Sequence, residues 1–257
     1  MRLHSRFLAP LGALSIILSL ILPAAAAQTI TVIGTTNLAP LVADAAKEYQ
    51  AAHAGVAITV KGISSGAGIA ALKDKQADVA MSDVAVGDPD FQDTIIGVVG
   101  FAFAVNPDVG ITNLTHKDAI AIYSGKVTNW KDVGGKDEPI VLIGRDIGTG
   151  TRFVFEDKVA KTLVPLDIEK NAAAVVKKVA ATPGSIGYLA SGFIGNYQNL
   201  IINYEGIAPT EENIRNHTYP FATDEHLYVL KTASPDVTAF VQYVKNDKPL
   251  LRKNGVF

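Results

Sequence analysis

The sequence predicts an α/β fold in which a mostly parallel sheet carries helices on its faces. Short β-branched runs at 29–33, 56–61 and 79–81 alternate with segments whose apolar residues recur at helical spacing. The first two of these runs end in small polar turns that open helices. This alternation is typical of β-α units, which place parallel strands side by side and cover them with helices.

The first helix follows the turn after 29–33. Leu38, Leu41, Val42 and Ala45 recur at helical spacing, and Pro40 is tolerated in a first turn. The other predicted strands and helices, in chain order, are strands at 95–106, 140–143, 186–189 and 227–230, and helices at 69–75, 117–123, 151–161, 175–179 and 237–246. Because no repeat or low-complexity linker interrupts the chain, any second domain must be connected by ordered strands.

The N-terminus has the pattern of a secretory signal peptide. Arg2 and Arg6 precede an uncharged apolar run at 7–23, and four alanines follow at 24–27. We expect a signal peptide at 1–26, export to a periplasm and no other membrane span. An uncleaved membrane anchor is the alternative, since the run is just long enough to cross a bilayer.

Composition excludes several classes of function. Lys and Arg total 23 against 25 Asp and Glu, so a nucleic-acid partner is not indicated. The absence of cysteine excludes a disulfide framework, a catalytic thiol and a lipid-modified cysteine anchor. The histidines are scattered, so neither a metal nor a cofactor is expected. P-loop, dinucleotide-binding and serine-hydrolase motifs are absent, so no catalytic residues are assigned.

Three hydroxyl-rich turns are the strongest functional signal. They are Gly34-Thr35-Thr36-Asn37, Ser64-Ser65-Gly66-Ala67-Gly68 and Gly148-Thr149-Gly150-Thr151, and each precedes a helix. Helix N-termini carry unpaired N–H groups and partial positive charge, and glycine lets an anion approach the backbone. Taken alone, each turn is better explained by an ordinary Ser/Thr helix cap. Together, in α/β loops, they predict a site for a small anion.

The order of these and other motifs resembles the phosphate-binding proteins of bacterial phosphate ABC transporters. The motifs that carry the resemblance are Gly34-Thr35-Thr36-x-x-Ala39-Pro40-Leu41, Ser64-Ser65-Gly66-x-Gly68-Ile69, Asp78-Val79-Ala80-x-Ser82-Asp83, Ile122-Tyr123-Ser124-Gly125-Lys126, Arg145-x-x-Gly148-Thr149-Gly150-Thr151-Arg152, Ser185-Ile186-Gly187-Tyr188 and Tyr219-Pro220. They cover nearly the whole chain after the export signal.

The resemblance implies a two-lobed periplasmic binding protein of type II. Each lobe would be a mixed sheet flanked by helices, and two hinge strands would join the lobes around an interlobe cleft. We place the crossings near 103–106 and 219–228, so that lobe 1 is 28–104 plus 220–257 and lobe 2 is 105–219. Inorganic phosphate is the implied ligand, the permease and ATPase of an ABC importer are the implied partners, and a monomer is expected.

The resemblance also implies the residues that bind phosphate: Thr35, Thr36, Asn37, Ser65, Asp83, Arg145, Thr149, Gly150 and Thr151. Asp83 would accept the P–OH proton of phosphate and repel sulfate, which has no proton to give. Arg145 would supply the one full positive charge. The alternatives are an ordinary turn aspartate for Asp83 and a structural or surface arginine for Arg145.

Two departures from the family pattern limit the resemblance. Thr149 stands where the family usually has serine, and Ile147 stands where it often has a polar or acidic residue. A related oxyanion therefore stays open as the ligand. Two further alternatives are a secreted adhesion, matrix or phosphate-sensing protein with the same fold, and an exported phosphatase-like enzyme. The second of these lacks a recognisable nucleophile.

Overall fold

A computed structural model describes residues 28–257, and the predicted signal peptide at 1–26 lies outside them. The chain has the predicted mixed α/β fold, built on one eight-stranded sheet and a separate two-stranded one. Among the described residues, no helix has both the length and the apolar character needed to cross a bilayer.

Seven of the strands run close to the predicted positions, and three short ones, at 113–114, 167–169 and 203–204, were not predicted. In chain order the strands are β1 (Gln28–Gly34), β2 (Val56–Gly62), β3 (Val79–Ser82), β4 (Phe91–Val105), β5 (Asn113–Leu114), β6 (Val141–Arg145), β7 (Asp167–Glu169), β8 (Ser185–Ala190), β9 (Asn203–Tyr204) and β10 (Ala222–Leu230). The last strand begins five residues before the predicted start at 227, a difference that matters for the site.

The helices follow the predicted apolar periodicity. They are α1 (Ala39–Ala52), α2 (Ser65–Lys73), α3 (His116–Tyr123), α4 (Gly150–Lys158), α5 (Ala172–Ala181), α6 (Glu211–Arg215), α7 (Pro235–Asn246) and α8 (Lys248–Lys253). Several of the helices are capped by the residue that directly precedes them. The side chain of that residue accepts a hydrogen bond from a backbone N–H in the first turn of the helix, and among these residues are Ser64, Thr115, Asn171 and Ser234.

The large sheet has the order β2-β1-β3-β10-β4-β8-β6-β7. The outer strands on both sides are parallel, whereas β10 is antiparallel to both β3 and β4, and β4 is antiparallel to β8. The carboxyl ends of β1 and β3 therefore lie at one edge of the sheet, which is where the predicted turns begin.

The fifteen-residue strand β4 connects the two halves of this sheet. As far as Gly100 it pairs with β10, and from Phe101 onward it pairs with β8. The predicted crossings at 103–106 and 219–228 overlap the end of β4 and the start of β10. The division into two separately moving lobes stays a prediction.

A buried aromatic cluster fills the junction between the halves. Phe221, just before β10, lies 5.3 Å from Phe101 and 5.4 Å from Phe103, measured between ring centroids. Phe155 of α4 stacks on Tyr188 of β8 at 4.0 Å and also contacts Phe221 edge-on. Each fully buried phenylalanine contributes about 1.5–3 kcal/mol, so the cluster holds α4 firmly against the centre of the sheet.

Candidate functional site

Asp83 is the centre of the polar cluster formed by the predicted turns. It follows β3 directly and is completely buried. Its Oδ2 accepts hydrogen bonds from the hydroxyls of Thr35 (2.6 Å) and Ser65 (3.2 Å), and its Oδ1 accepts one from Nδ2 of Asn37 (3.2 Å). A buried carboxylate needs such donors because burial without hydrogen bonds is costly.

The main chain of Asp83 is fixed as tightly as its side chain. Its N–H donates to Oγ of Ser65 (3.1 Å), and its carbonyl accepts from Oγ1 of Thr223 on β10 (2.7 Å). The N–H of Thr35 donates to the carbonyl of Met81 on β3 (3.0 Å), which holds the turn after β1 beside Asp83. Three separate elements therefore set the position of this carboxyl group.

Close backbone approach explains the glycine at position 68. A Cβ there would lie 2.5 Å from the carbonyl oxygen of Ile33 and 2.7 Å from the Cα of Gly34. Only glycine lets α2 pack this closely onto the end of β1. That packing brings Ser65, in the first turn of α2, within reach of Asp83.

The second half of the chain closes over this cluster through the start of α4. The N–H of Gly150 donates to Oγ1 of Thr36 (3.0 Å), and Oγ1 of Thr151 donates to Oδ1 of Asn37 (3.1 Å). Gly150 and Thr151 are both buried. We call the residues joined in this way the turn cluster, and they are Thr35, Thr36, Asn37, Ser65, Asp83, Gly150 and Thr151.

Thr149 caps α4 and stands beside the turn cluster. Its hydroxyl accepts from the N–H of Arg152 (3.4 Å) and donates to the carbonyl of Asp146 (2.9 Å). Ser64 caps α2 in the same manner, through the N–H of Ala67. The ordinary cap explanation therefore holds for these two hydroxyls. Leu38 at the start of α1 supplies no side-chain cap.

The guanidinium of Arg145 binds backbone carbonyl groups and not Asp83. Its Nε donates to the carbonyl of Glu169 (3.1 Å) and its Nη2 to the carbonyl of Lys170 (3.3 Å), both at the end of β7. Partial burial lowers its pKa from the usual value. None of its hydrogen bonds within residues 28–257 reaches the turn cluster.

Arg152 is a second arginine in the same motif whose role the sequence did not reveal. It is buried in the first turn of α4, where its Nε pairs with Glu156 (2.6 Å) and its Nη1 donates to the carbonyl of Arg145 (3.3 Å). These contacts brace the loop between β6 and α4. The i, i+4 spacing to Glu156 is the signal that would have identified this pair.

Glu225 is the other residue that sequence reasoning missed. It is completely buried on β10, and its carboxyl faces that of Asp83. Burial raises the pKa of Asp83 above its usual value, although hydrogen bonds from Thr35, Asn37 and Ser65 act in the opposite direction. Burial, followed by the negative charge of Asp83, raises the pKa of Glu225 well above the usual glutamate value.

The turn cluster is suited to bind a small oxyanion and not to hold a metal. It combines hydroxyl and N–H donors with the single carboxylate of Asp83. In the part of the chain that the structure describes, no group of three or more His, Cys, Asp or Glu side chains could hold a metal ion. The donors match the oxygens of an anion, and the carboxylate matches a protonated oxygen.

Comparison with known proteins points in the same direction. A family model described as a PBP superfamily domain matches residues 23–248. The phosphate-binding protein PstS of Bacillus subtilis is 30% identical over 230 residues, covering 86% of this chain and 77% of that protein. PstS of Borreliella burgdorferi is 25% identical over 237 residues, covering 84% of each chain. The crystal structure of an ABC-type phosphate transport receptor from Vibrio cholerae has a TM-score of 0.82 and 26% identity, covering 90% of this chain and 99% of that one.

Proposed function

This chain belongs to the PBP superfamily and, within it, to the phosphate-binding proteins, and from that premise we propose that the turn cluster binds inorganic phosphate for delivery to an ABC importer. The observation that carries the proposal is Asp83, a buried carboxylate surrounded by hydroxyl and amide donors. The named relatives are phosphate-binding proteins and a phosphate transport receptor, which supports the same ligand.

In this proposal each part of the turn cluster has a separate task. The hydroxyl of Thr36 and the N–H groups at the start of α4 donate to the phosphate oxygens. The hydroxyls of Thr35 and Ser65, which donate to Asp83 in this structure, turn to the phosphate when it binds. Asp83 accepts the proton of the P–OH group. Sulfate at neutral pH has no proton. Its oxygen and the carboxylate oxygen of Asp83 would therefore be two acceptors in contact with no hydrogen between them, which is unfavourable in a buried site.

Phosphate entry requires the two halves of the chain to separate. Gly150 contacts Thr36 directly, and Thr151 contacts Asn37 directly, so an anion reaches Asp83 only when these bonds open. We propose that the lobes, 28–104 plus 220–257 and 105–219, rotate about β4 and β10, a hinge motion that closes on the ligand. Arg145 would then exchange its two carbonyl partners for the anion.

The remaining parts of the proposal concern the protein's setting. We propose that residues 1–26 direct export to the periplasm, that the mature protein acts as a monomer without catalytic activity, and that its partners are the permease and ATPase of the importer. The relatives named above, which are phosphate-binding proteins and a phosphate transport receptor, support a binding function.

Calorimetric titration tests the proposed ligand. Mature protein, freed of bound anion by unfolding and refolding, should bind phosphate tightly and sulfate weakly. Absence of phosphate binding would overturn the proposed function, and sulfate binding of equal strength would overturn the role given to Asp83. Titration with a phosphate ester, followed for release of free phosphate, tests the absence of catalysis.

A further inference from the structure

Glu225 occupies a position defined by the pairing of β10 with β3. In this antiparallel pair His226 lies opposite Ser82 and Leu227 lies opposite Met81. Continuing the register by one residue places Glu225 opposite Asp83. Side chains of directly opposed residues project to the same face of a sheet, so the two carboxyl groups are brought together by backbone geometry.

The surroundings of Glu225 leave its carboxyl without a donor. It has no exposed surface, and no N–H or hydroxyl donor among the described residues reaches either of its oxygens; its hydrogen-bonding contact is the carboxyl of Asp83. The group it faces, Asp83, is itself an acceptor when ionised. Two ionised carboxylates buried in contact would repel each other strongly, whereas one shared proton turns the contact into a short, strong hydrogen bond.

Among residues 28–257, no cation acts on Glu225 or Asp83 to neutralise the pair in another way. The charged groups that act on Glu225 are Asp83, across the strand pair, and Asp224 on its own strand, and both are acidic. On the other side of β10, the residue of β4 that lies opposite Glu225 is Gly97. Glycine has no side chain and so offers no charge there. The next residue, His226, is engaged with Asp93 at 2.9 Å.

We propose that Glu225 is a positioning residue for the anion site, acting as a protonated acid that donates a hydrogen bond to Asp83 and keeps the pair at one negative charge. This inference rests on the proposed function, because it deepens the role of Asp83. The acid completes the set of donors around Asp83 and leaves that carboxylate ionised. Asp83 is then available as the acceptor for a P–OH group.

The proposal has a consequence for pH. Removal of the shared proton would place a second negative charge behind Asp83, next to a bound anion. The direction of both pKa shifts agrees with a proton held well above the range of an ordinary carboxyl. Phosphate affinity of the wild-type protein should therefore fall at alkaline pH for a reason that lies in the protein and not in the ligand.

Two variants separate this role from a merely structural one. In Glu225→Gln the amide still donates to Asp83 but cannot ionise, and in Glu225→Leu the donor is lost. Phosphate titrations of wild type and both variants from about pH 5 to about pH 9 span the range in which a raised carboxyl pKa would be seen. At each pH the ionisation of phosphate is the same for all three proteins, so the ratio of their Kd values reports Glu225 alone.

We expect E225Q to bind phosphate within about threefold of wild type at the acid end and to become the tighter binder at the alkaline end. At the acid end, E225L should bind at least about tenfold more weakly than wild type, as expected for loss of a hydrogen bond to a charged group. Glu212→Gln is the matched control: it makes the same change at an exposed glutamate of α6, and its pH profile should match that of wild type.

Several outcomes would overturn the inference. One is a constant ratio between the Kd values of E225Q and wild type over the whole range. Another is wild-type affinity of folded E225L at the acid end, and a third is an E212Q profile that changes as much as that of E225Q. Circular dichroism establishes folding of each variant; if E225L does not fold, E225Q alone decides. Failure of wild type to bind phosphate would instead overturn the proposed function.

Discussion

The backbone N–H of Gly150 donates to the side-chain oxygen of Thr36 across the boundary between the two halves of the chain, at 3.0 Å. A helix N-terminus in one half thus meets a hydroxyl from the other half, and both groups belong to the predicted phosphate site. The contact links ligand binding to closure, because the same groups that would hold phosphate also hold the halves together.

Substitution of Gly150 by alanine should weaken phosphate binding. An added Cβ would lie 2.5 Å from Oγ1 of Thr35 and 2.7 Å from Nδ2 of Asn37, so the turns could not approach as they do now. We expect affinity to fall at least about tenfold, equivalent to about 1.4 kcal/mol, with little change in Tm. Calorimetry and thermal unfolding measure the two quantities.

Gly87→Ala is the control for the Gly150 variant. A Cβ at this exposed loop position would meet no atom within 4 Å. Affinity equal to that of wild type is expected. Unchanged phosphate affinity in G150A would contradict the role given to closure at this point.

Asp83→Asn should relax the discrimination between phosphate and sulfate. The amide removes the negative charge and can donate to an unprotonated oxygen, so the unfavourable contact with sulfate disappears. We expect sulfate affinity to rise and phosphate affinity to fall, measured by parallel titrations. If the ratio of the two affinities does not change, Asp83 does not determine selectivity.

Arg145→Ala tests whether Arg145 binds phosphate or has only a structural role. If Arg145 exchanges the carbonyls of Glu169 and Lys170 for the anion, the variant should lose about 10–100-fold in phosphate affinity, the value of one charged hydrogen bond. Its Tm should stay close to that of wild type. A lowered Tm with full affinity would show that Arg145 only braces the end of β7.

Glu225 should make folding stability depend on pH. Because its pKa is raised well above the unfolded value of about 4.5, the folded state holds a proton that the unfolded state releases. Stability should therefore fall as pH rises above 4.5, until the pH passes the folded pKa. Thermal unfolding across this range should show a steeper decline for wild type than for E225Q. Parallel curves for the two proteins would contradict the raised pKa.

Most of the fold follows from local signals in the sequence. The strand and helix positions were predicted closely where apolar periodicity was clear, as in α1 and β4. The short strand β7 and the helix α8 were not predicted, since they carry little periodicity of their own. β10 was placed too late because Asp224, Glu225 and His226 resemble an exposed charged run.

The start of β10 shows how Glu225 could have been recognised. Phe221, Thr223, Glu225 and Leu227 alternate along the chain and are all buried. A period of two extended back from Leu227 places Glu225 on the covered face. His226 is buried as well, because β10 lies in the middle of the sheet and every residue from Glu225 to Val229 is covered, which alternation alone does not predict.

The sequence by itself determined the α/β fold and the three helix-opening turns, because each depends on residues close together along the chain. The grouping of Thr35 and Ser65 with Asp83, which are 48 and 18 residues apart in sequence, was implied only by the resemblance to the family. Only the tertiary structure decided that Glu225 faces Asp83 and that the guanidinium of Arg145 lies against β7. Both depend on the register of strands that are distant in sequence. Strand register is set by the packing of the whole sheet and not by local residue preference.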